Sequence, residues 1–347
     1  MSADNILIYG AYGYTGALIA ERAVAEGVRP ILAGRSEEKL RPVAERLGCP
    51  FRTFGLDDRN RLDEALDRVD VVLHCAGPFS RTAEPMVEAC LRTKTHYLDI
   101  TGEIAVFEAV AARGAAAKNA GVMILPGVGF DVVPTDCLAV YLAQKLPNAT
   151  NLTLAFAGSS TLSHGTMLTS LEQVGSGAVR RDGRIAKVPA AWKTMNIDYG
   201  GGLTRTSVTI PWGDVATAFH STGIPNIEVF AGLPPNVLRQ IKASRYLGGL
   251  LRTGPVQRFL KSRVPEGGPD EATRTTGETR LWGKVTNAAG DSVEGRLRTP
   301  EAYQTTVLTA LLIARRAARG DAPPGYQTPA KAYGPDLILD IPGAERT

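Results

Sequence analysis

Short apolar runs alternate with segments of helical length through Pro147. Each run is rich in Val, Ile, Leu or aromatic residues and ends in glycine, proline or a polar residue, which is typical of a buried strand. The segments between the runs are rich in Ala, Glu and Arg, which favour helix. Because strands that alternate with helices form βαβ units, this half predicts a parallel sheet. Its strands are predicted at Asn5–Tyr9, Pro30–Ala33, Phe51–Phe54, Asp70–Cys75, His96–Ile100 and Val122–Leu125.

The pattern changes after Pro147, where apolar and polar residues alternate as they do in half-exposed strands. Strands are predicted at Asn151–Ala157, Thr204–Ile210 and Asn226–Phe230, and as a pair within residues 275–299. A turn near Asn287–Gly290 joins that pair. Residues Glu301 to Arg319 predict one helix, which ends before Pro323. This half therefore predicts an antiparallel sheet with helices, an α+β arrangement.

Composition and charge narrow the class of protein. The 347 residues suit two domains, and 44% hydrophobic with 21% charged residues is ordinary for a globular chain. A formal net charge of +4 is too small to indicate a nucleic-acid partner. The four cysteines show no CxxC spacing, so no metal site or disulfide framework is predicted. The first strand follows Met1 too closely for a signal peptide, and we expect a cytoplasmic protein.

A glycine-rich turn follows the first predicted strand and precedes a helical segment. Its residues are Gly10, Ala11, Tyr12, Gly13, Tyr14, Thr15 and Gly16. In a dinucleotide fingerprint, the first glycine permits a tight turn, the second lets the backbone approach a pyrophosphate, and the third lets the helix pack close to the strand. The amides at the helix start then face the phosphates. The turn predicts a nucleotide site; a tight turn without a ligand is the simpler alternative.

The end of the second predicted strand indicates which nicotinamide cofactor is bound. NAD sites usually place an acidic residue here for the ribose 2′-hydroxyl, whereas an Arg accommodates a 2′-phosphate. This chain has Arg35 there, with Lys39 one turn later, so the sequence predicts NADP(H) over NAD. Ser36 is either a phosphate contact or the N-cap of the next helix. Likewise, Asp57 or Asp58 either holds the adenine amine or caps a helix.

A series of short motifs is distributed over nearly the whole chain. They are Gly10–Gly16, Ala33–Arg35, Ala76–Phe79, Tyr97–Glu103, Gly129–Asp136, Ile210–Asp214 and Thr328–Ala330. In this order and spacing they resemble the saccharopine dehydrogenase-like oxidoreductases, most closely the branch also labelled trans-acting enoyl reductase. The resemblance implies a Rossmann domain at residues 1–147 and an α+β substrate or oligomerisation domain at residues 148–300. A C-terminal segment, residues 301–347, then returns to the first domain.

The expected fold is therefore α/β, with an N-terminal Rossmann-type parallel sheet and a second α+β domain. The resemblance also implies where the cofactor lies, since ligands of such sheets lie outside the carboxyl ends of the strands. The expected cofactor contacts are Gly10, Ala11, Tyr12, Gly13, Tyr14, Thr15, Gly16, Arg35, Ser36, Lys39, Asp57, Asp58, Ala76, Gly77, Pro78, Phe79 and Gly102.

Three residues are candidates for a direct role in the chemistry. Hydride transfer needs the nicotinamide to be positioned, and reduction needs a proton donor or polarising group near the acceptor. Asp131 and Glu103 both follow predicted strands at the ligand end, and the resemblance places Asp131 where saccharopine reductases carry an aspartate that faces the substrate. A cap or first-turn acid is the alternative for each. His164 starts a second-domain helix and is otherwise structural, whereas His74 is expected in the core.

One stretch of the second half is basic and apolar. Between Glu228 and Glu266 there is no acidic residue. The basic residues are Arg239, Lys242, Arg245, Arg252, Arg258, Lys261 and Arg263, and leucines and aromatic residues alternate with them. The simpler interpretation is a solvated helical face over a core stripe. The functional one is that residues 238–263 contact an acyl carrier, a phosphorylated acyl donor or an anionic membrane surface.

Two functional hypotheses follow. The first is an NADP(H)-dependent oxidoreductase that transfers hydride to or from a C=N, C=O or activated C=C bond of a small, acyl or lipid-like substrate; a trans-acting enoyl reductase is the more specific form. The second is a non-catalytic, nucleotide-binding adaptor at a lipid surface. We expect a homodimer in either case.

Overall fold

The computed structural model describes residues 5–158, 163–172, 175–251, 253–264 and 267–347. The strands in chain order are β1 Ile6–Tyr9, β2 Ile31–Gly34, β3 Phe51–Thr53, β4 Val71–His74, β5 His96–Asp99, β6 Met123–Leu125, β7 Asn151–Gly158, β8 Ser176–Arg181, β9 Arg184–Pro189, β10 Thr194–Asp198, β11 Thr204–Thr209, β12 Asn226–Gly232, β13 Glu278–Thr286, β14 Ser292–Pro300, β15 Gly325–Tyr326 and β16 Glu345–Arg346.

Helices cover much of the remaining chain. They are α1 Tyr14–Ala25, α2 Glu37–Leu47, α3 Arg59–Ala65, α4 Phe79–Thr93, α5 Ile104–Ala111, α6 Gly114–Ala120, α7 Val133–Lys145, α8 His164–Glu172, α9 Asp214–Thr222, α10 Pro235–Leu251, α11 Gly254–Ser262, α12 Glu271–Thr276, α13 Ala302–Ala318 and α14 Pro329–Tyr333, with a 3-10 helix at Leu337–Asp340. None of the helices in the described part of the chain combines the length and the apolar character that a membrane crossing requires.

The first sheet has seven strands in the order β15-β6-β5-β4-β1-β2-β3, and each neighbouring pair is parallel. β1 and β4 lie at its centre, and their residues are buried throughout. Such central strands are rich in Ile, Leu and Val because both faces of a parallel sheet are covered. The strand order reverses between β1 and β4, which is the place where doubly wound sheets bind dinucleotides. The α/β fold class with a Rossmann-type first sheet is confirmed.

The second sheet runs in the order β10-β11-β12-β7-β13-β14-β16, and β8 and β9 form a hairpin that joins it through β12. The predicted pair within residues 275–299 is the antiparallel hairpin of β13 and β14. The expectation of a purely antiparallel sheet is wrong, because β7 and β12 pair in parallel over seven residue pairs. The chain enters β12 directly from α9, and a crossover of this kind is what a parallel pair requires.

The chain divides into two compact units. The first contains Met1–Asp131 and Thr305–Ala332, and the second contains Val132–Gln304 and Tyr333–Thr347. The sequence-based limits at residues 147 and 301 grouped α7 with the first sheet; those limits remain a prediction. Within the second unit, α7 packs on β13: a Cβ added at Gly283 would lie 2.7 Å from a methyl carbon of Leu142. A glycine in β13 thus lets the helix approach the sheet closely.

Candidate functional site

The glycine turn after β1 requires glycine at its first position. Gly10 has a φ of +86°, and a Cβ at this position would lie 2.9 Å from the backbone nitrogen of Ala76. Its amide donates to the carbonyl of Ala33 at 2.8 Å, which ties the turn to β2. Gly13, the N-cap residue of α1, donates its amide to the Gly10 carbonyl at 2.9 Å. The turn therefore lies at the carboxyl ends of β1, β2 and β4.

The third glycine brings α1 against the turn. A Cβ on Gly16 would lie 2.4 Å from the Gly10 carbonyl oxygen, so a larger residue would push the helix away. The first helical turn contains Tyr14, Thr15 and Gly16, with no acidic residue, and the N-cap glycine has no side chain. The positive end of the helix dipole at such a start favours an anion. The cradle therefore fits the pyrophosphate of a dinucleotide.

The region after β2 carries the features expected at an adenosine end. Arg35 follows β2 directly and is exposed. The ring of Tyr12 lies over Gly34, where an added Cβ would be 2.5 Å from the ring. Burial raises the pKa of the Tyr9 phenol to about 12, and the Tyr12, Arg35 and Asp57 side chains act on the same hydroxyl electrostatically. These groups therefore lie together at the ends of the adjacent strands β1, β2 and β3.

Two polar residues at this end cap helices. Ser36 is the N-cap of α2, and its hydroxyl accepts from the amide of Lys39 at 3.4 Å. Asp58 is the N-cap of α3 and accepts from the amides of Asn60 and Arg61, both at 3.1 Å. The capping alternative is therefore present in the structure for both residues, whereas contact of Ser36, Lys39, or Asp58 with a cofactor stays a prediction.

The end of β4 carries a buried aromatic cluster under the turn Ala76–Phe79. His74 is completely buried, as expected for a core histidine, and its ring lies 5.4 Å from the rings of Tyr9 and Phe79. Neither ring nitrogen has a hydrogen-bond partner among the described residues. Burial therefore lowers the pKa of His74 to about 3.

Glu103, one of the predicted chemical groups, holds the start of α4. Its two carboxylate oxygens accept from the backbone amides of Phe79 at 2.9 Å and Ser80 at 3.0 Å. The carboxylate is nearly fully buried. A charged acceptor at a helix start satisfies amides that have no partner within the helix. Glu103 therefore fixes the turn that ends in Phe79, including Gly77 and Pro78.

Asp131, the other predicted acid of this unit, lies against the turn after β5. A Cβ on Gly102 would be 2.0 Å from Asp131 Oδ2, so only glycine leaves room for this carboxylate. Asp131 is half-buried and lies one residue before Val132, the N-cap of α7. The structure thus brings Gly102, Glu103 and Asp131 together at the carboxyl ends of β5 and β6.

Asp99 organises this edge and was not singled out from the sequence. The residue is fully buried at the end of β5. Its Oδ1 accepts from the amides of Thr101 and Gly127, both at 2.9 Å, and its Oδ2 accepts from the Tyr97 hydroxyl at 2.6 Å. Its carbonyl oxygen accepts from the Val128 amide at 2.8 Å. An acid at the end of an apolar strand is the signal that could have identified it.

Helix α13 anchors the turn that follows β6. The hydroxyl of Thr306 accepts from the Phe130 amide at 2.9 Å, and the hydroxyl of Thr309 donates to the Val128 carbonyl at 2.8 Å. Both threonines belong to the first compact unit. Buried polar contacts of this kind leave no local sequence signal, because the partners are separated by more than 170 residues.

The second compact unit contains the remaining predicted residues. His164 begins α8, half-buried, and its amide donates to the Gly267 carbonyl at 2.8 Å. In the basic segment, Phe259 on α11 is 59% exposed, and the Arg263 guanidinium lies 5.2 Å from its ring. The side chains of Arg245, Arg252 and Lys261 lie outside the described residues.

A pair of buried acids occupies the second compact unit. Asp136 on α7 and Asp214 on α9 are both fully buried. The Ser221 hydroxyl donates to Asp136 Oδ1. Burial raises the pKa of Asp214 well above its usual range, and the nearby Asp136 carboxylate raises it further. Within the part of the chain that is described, no group of three or more His, Cys, Asp or Glu side chains is arranged to hold a metal ion.

Comparison with known proteins adds family information to this geometry. Residues 6–125 match the family model described as the saccharopine dehydrogenase NADP binding domain. A trans-acting enoyl reductase of Mycobacterium leprae is 39% identical over 150 residues, which cover 41% of this chain and 36% of that protein. A saccharopine dehydrogenase-like oxidoreductase of Bos taurus is 32% identical over 162 residues, which cover 41% of this chain and 38% of that protein. The resemblance predicted from the motifs is confirmed.

A solved structure extends the likeness in fold over the whole chain. Apo saccharopine dehydrogenase (L-Glu forming) from Saccharomyces cerevisiae superposes with a TM-score of 0.69 at 13% identity, and the match covers 99% of both chains. At this identity the likeness shows the fold alone. The sequence matches, in contrast, span 36% and 38% of the two curated relatives.

Proposed function

We propose that this chain, whose residues 6–125 match the saccharopine dehydrogenase NADP binding domain, is an NADP(H)-dependent oxidoreductase that acts on a C=N, C=O or activated C=C bond. The observation that carries the choice of cofactor is the exposed Arg35 directly after β2, next to Gly34, over which the Tyr12 ring lies. No acidic residue stands between β2 and Glu37 to accept a ribose 2′-hydroxyl. A guanidinium there favours a 2′-phosphate, because it can donate two hydrogen bonds to phosphate oxygens.

When bound, the nicotinamide group supplies or accepts the hydride. The chain's own residues would hold it: Gly10, Gly13 and the start of α1 would bind the pyrophosphate, and Arg35 would bind the 2′-phosphate. Phe79 and Gly77, in the turn that Glu103 holds, are our candidates for contact with the nicotinamide. Asp131 is our candidate for the proton donor, because it is half-buried at the ligand end of the sheet.

We assign a different role to Glu103, whose carboxylate already accepts from two backbone amides. Those contacts suit a residue that positions the α4 turn. His164 remains a weaker candidate for direct chemistry.

The substrate class is proposed from the relatives. The Mycobacterium leprae protein is named an enoyl reductase, which favours an activated C=C bond of an acyl substrate over C=N and C=O. The exposed Phe259 with Arg258 and Arg263 on or beside α11 supports contact of residues 238–263 with an acidic acyl carrier or an anionic membrane surface. The homodimer and the non-catalytic adaptor stay predictions.

The experiment that tests the cofactor assignment is titration of the purified protein with NADPH and NADH, followed by nicotinamide fluorescence. Arg35→Ala should weaken NADPH binding by about 1.5–3 kcal/mol, the range for a lost hydrogen bond to a charged group, and leave NADH binding nearly unchanged. The matched control is Arg29→Ala, because Arg29 is exposed near the opposite end of β2. Equal affinity of the wild type for the two cofactors, or none for either, would remove the proposal.

A further inference from the structure

The two turns that follow β5 and β6 carry the groups that the proposed function places near the nicotinamide. Gly102 and Glu103 belong to the first turn, and Asp131 ends the second. The turns touch where Asp131 Oδ2 lies over Gly102. Glu103 links the first turn to the start of α4, because its carboxylate accepts hydrogen bonds from two backbone amides there. Any shift between the two turns would therefore displace both acids relative to the sheet.

Asp99 is the side chain that joins these turns. One carboxylate oxygen accepts from the amide of Thr101 in the first turn and from the amide of Gly127 in the second. Gly127 has a φ of +75°, which a residue with a side chain adopts at a cost. The carboxylate is fully buried, so water does not replace these bonds when they are lost.

The position of Asp99 in the sheet indicates which half of a dinucleotide site it belongs to. Doubly wound sheets consist of two mononucleotide-binding halves that meet where the strand order reverses, here between β1 and β4. The glycine turn and Arg35 belong to the half with β1, β2 and β3. Asp99 belongs to the half with β4, β5 and β6, where the proposed function places the nicotinamide mononucleotide.

We propose that Asp99 is a positioning residue for the nicotinamide half of the cofactor site. By accepting hydrogen bonds from both turns, it fixes the positions of Gly102, Glu103 and Asp131. This inference rests on the proposed function. The role needs an acceptor oxygen and not a charge. Asn at this position keeps Oδ1 for the two amides, and its NH₂ group donates to the Tyr97 hydroxyl. Ala removes the acceptor.

The test compares a full dinucleotide with a fragment that fills the adenosine half. NADPH binding is measured by fluorescence titration, and binding of adenosine 2′,5′-bisphosphate by calorimetry, for wild type, Asp99→Ala and Asp99→Asn. Asp99→Ala removes the acceptor of both turn amides, so it should weaken NADPH binding by about tenfold or more, with the bisphosphate changed less than about twofold. Asp99→Asn should bind both probes within about threefold of wild type.

Gly127→Ala provides a second route to the same turn if Asp99→Ala does not fold. A methyl group at a φ of +75° strains the turn that Asp99 holds, so the same selective loss of NADPH affinity is expected. The inference is overturned if folded Asp99→Ala loses affinity for both probes equally, or for neither. If Asp99→Ala does not fold, the same criterion applies to Gly127→Ala. The inference is also overturned if Asp99→Asn loses as much NADPH affinity as Asp99→Ala. Wild type that binds neither probe would instead remove the proposed function.

Discussion

His74 makes the stability of the first sheet sensitive to acid. Its pKa is about 3 in the folded protein because burial disfavours the imidazolium, whereas the unfolded chain takes up the proton near pH 6.5. A group whose pKa is lower in the folded than in the unfolded protein stabilises the fold fully above its unfolded pKa. This stabilisation is lost as the pH falls towards the folded pKa. Between pH 7 and pH 5, His74 alone should cost about 2 kcal/mol of unfolding free energy.

His74→Phe tests this, since a phenyl ring can pack between Tyr9 and Phe79 without titrating. Urea unfolding at pH 7 and pH 5 should show a smaller loss of stability in the variant than in wild type, by about 2 kcal/mol. An identical loss in both proteins would place the acid sensitivity elsewhere.

Asp131 is the residue on which the proposed chemistry depends. If it donates the proton, Asp131→Asn should abolish NADPH oxidation with an α,β-unsaturated acyl thioester that the wild type reduces, because the amide cannot supply a proton. NADPH affinity and melting temperature should change little. A melting temperature lower by several degrees, with turnover per folded molecule retained, would show a structural role, and the assignment would then be dropped.

Some of these residues could be predicted from the sequence, and others could not. Arg35 and Asp131 follow predicted strands, so the parallel topology alone places them at the ligand edge of the sheet. Asp99 follows a strand too, but its importance depends on amides of two different turns, and hydrogen bonds across turns are not visible in a local pattern. The capping of α4 by Glu103 likewise joins groups more than 20 residues apart.

At the scale of elements, the separation of α1 from the glycine turn decides whether the cradle can hold a pyrophosphate. Gly16→Ala would place a methyl group 2.4 Å from the Gly10 carbonyl, so the helix must move. We expect NADPH and NADH affinities to fall together by about tenfold or more, unlike the selective loss for Arg35→Ala.

Isothermal titration with both cofactors measures this effect of Gly16→Ala. The control is Gly165→Ala, because no atom lies within 4 Å of a Cβ at that position and helix α8 tolerates alanine. Unchanged affinity in Gly16→Ala, or loss of one cofactor only, would contradict the role of the third glycine.

Among the elements, those with strong local signals were predicted and those without were missed. The β1 strand, its glycine turn and α1 follow from adjacent residues, and so does the hairpin of β13 and β14. The hairpin of β8 and β9 was missed, because the residues of β9 do not alternate between apolar and polar and none of them is fully buried. The two residues of β15 are too few for any periodicity, and only their pairing with β6 defines them.

At the scale of the whole molecule, His74 of the first compact unit and Asp214 of the second change the stability in opposite directions as the pH changes. The pKa of Asp214 is raised by burial and by Asp136, so the folded state disfavours its ionised form. A carboxyl group of this kind holds its proton more tightly when folded, and the stability falls as the pH rises from the unfolded value of 3.8 through the folded pKa. His74 acts at low pH and Asp214 at higher pH, so stability should be greatest between them.

Asp214→Asn should flatten the high-pH side of this profile. The amide is neutral at every pH and has nearly the same shape as the carboxyl group, so the variant should gain melting temperature relative to wild type as the pH is raised from 5 to 9. Asp182→Asn is the control, because Asp182 is an exposed acid of the same unit. A difference between Asp214→Asn and wild type that does not grow with pH would show that Asp214 ionises without cost.

The return of the chain to the first sheet has a consequence for its synthesis on the ribosome. β15 covers the edge of β6, and about 200 residues separate them, which take about 10–40 s to translate at 5–20 residues per second. During that interval β6 is an open edge, and the Phe130 amide has not yet met the hydroxyl of Thr306. Open strand edges invite pairing with other chains. We therefore expect the nascent chain to be most prone to pairing with other chains until the segment that contains α13 and β15 has left the exit tunnel.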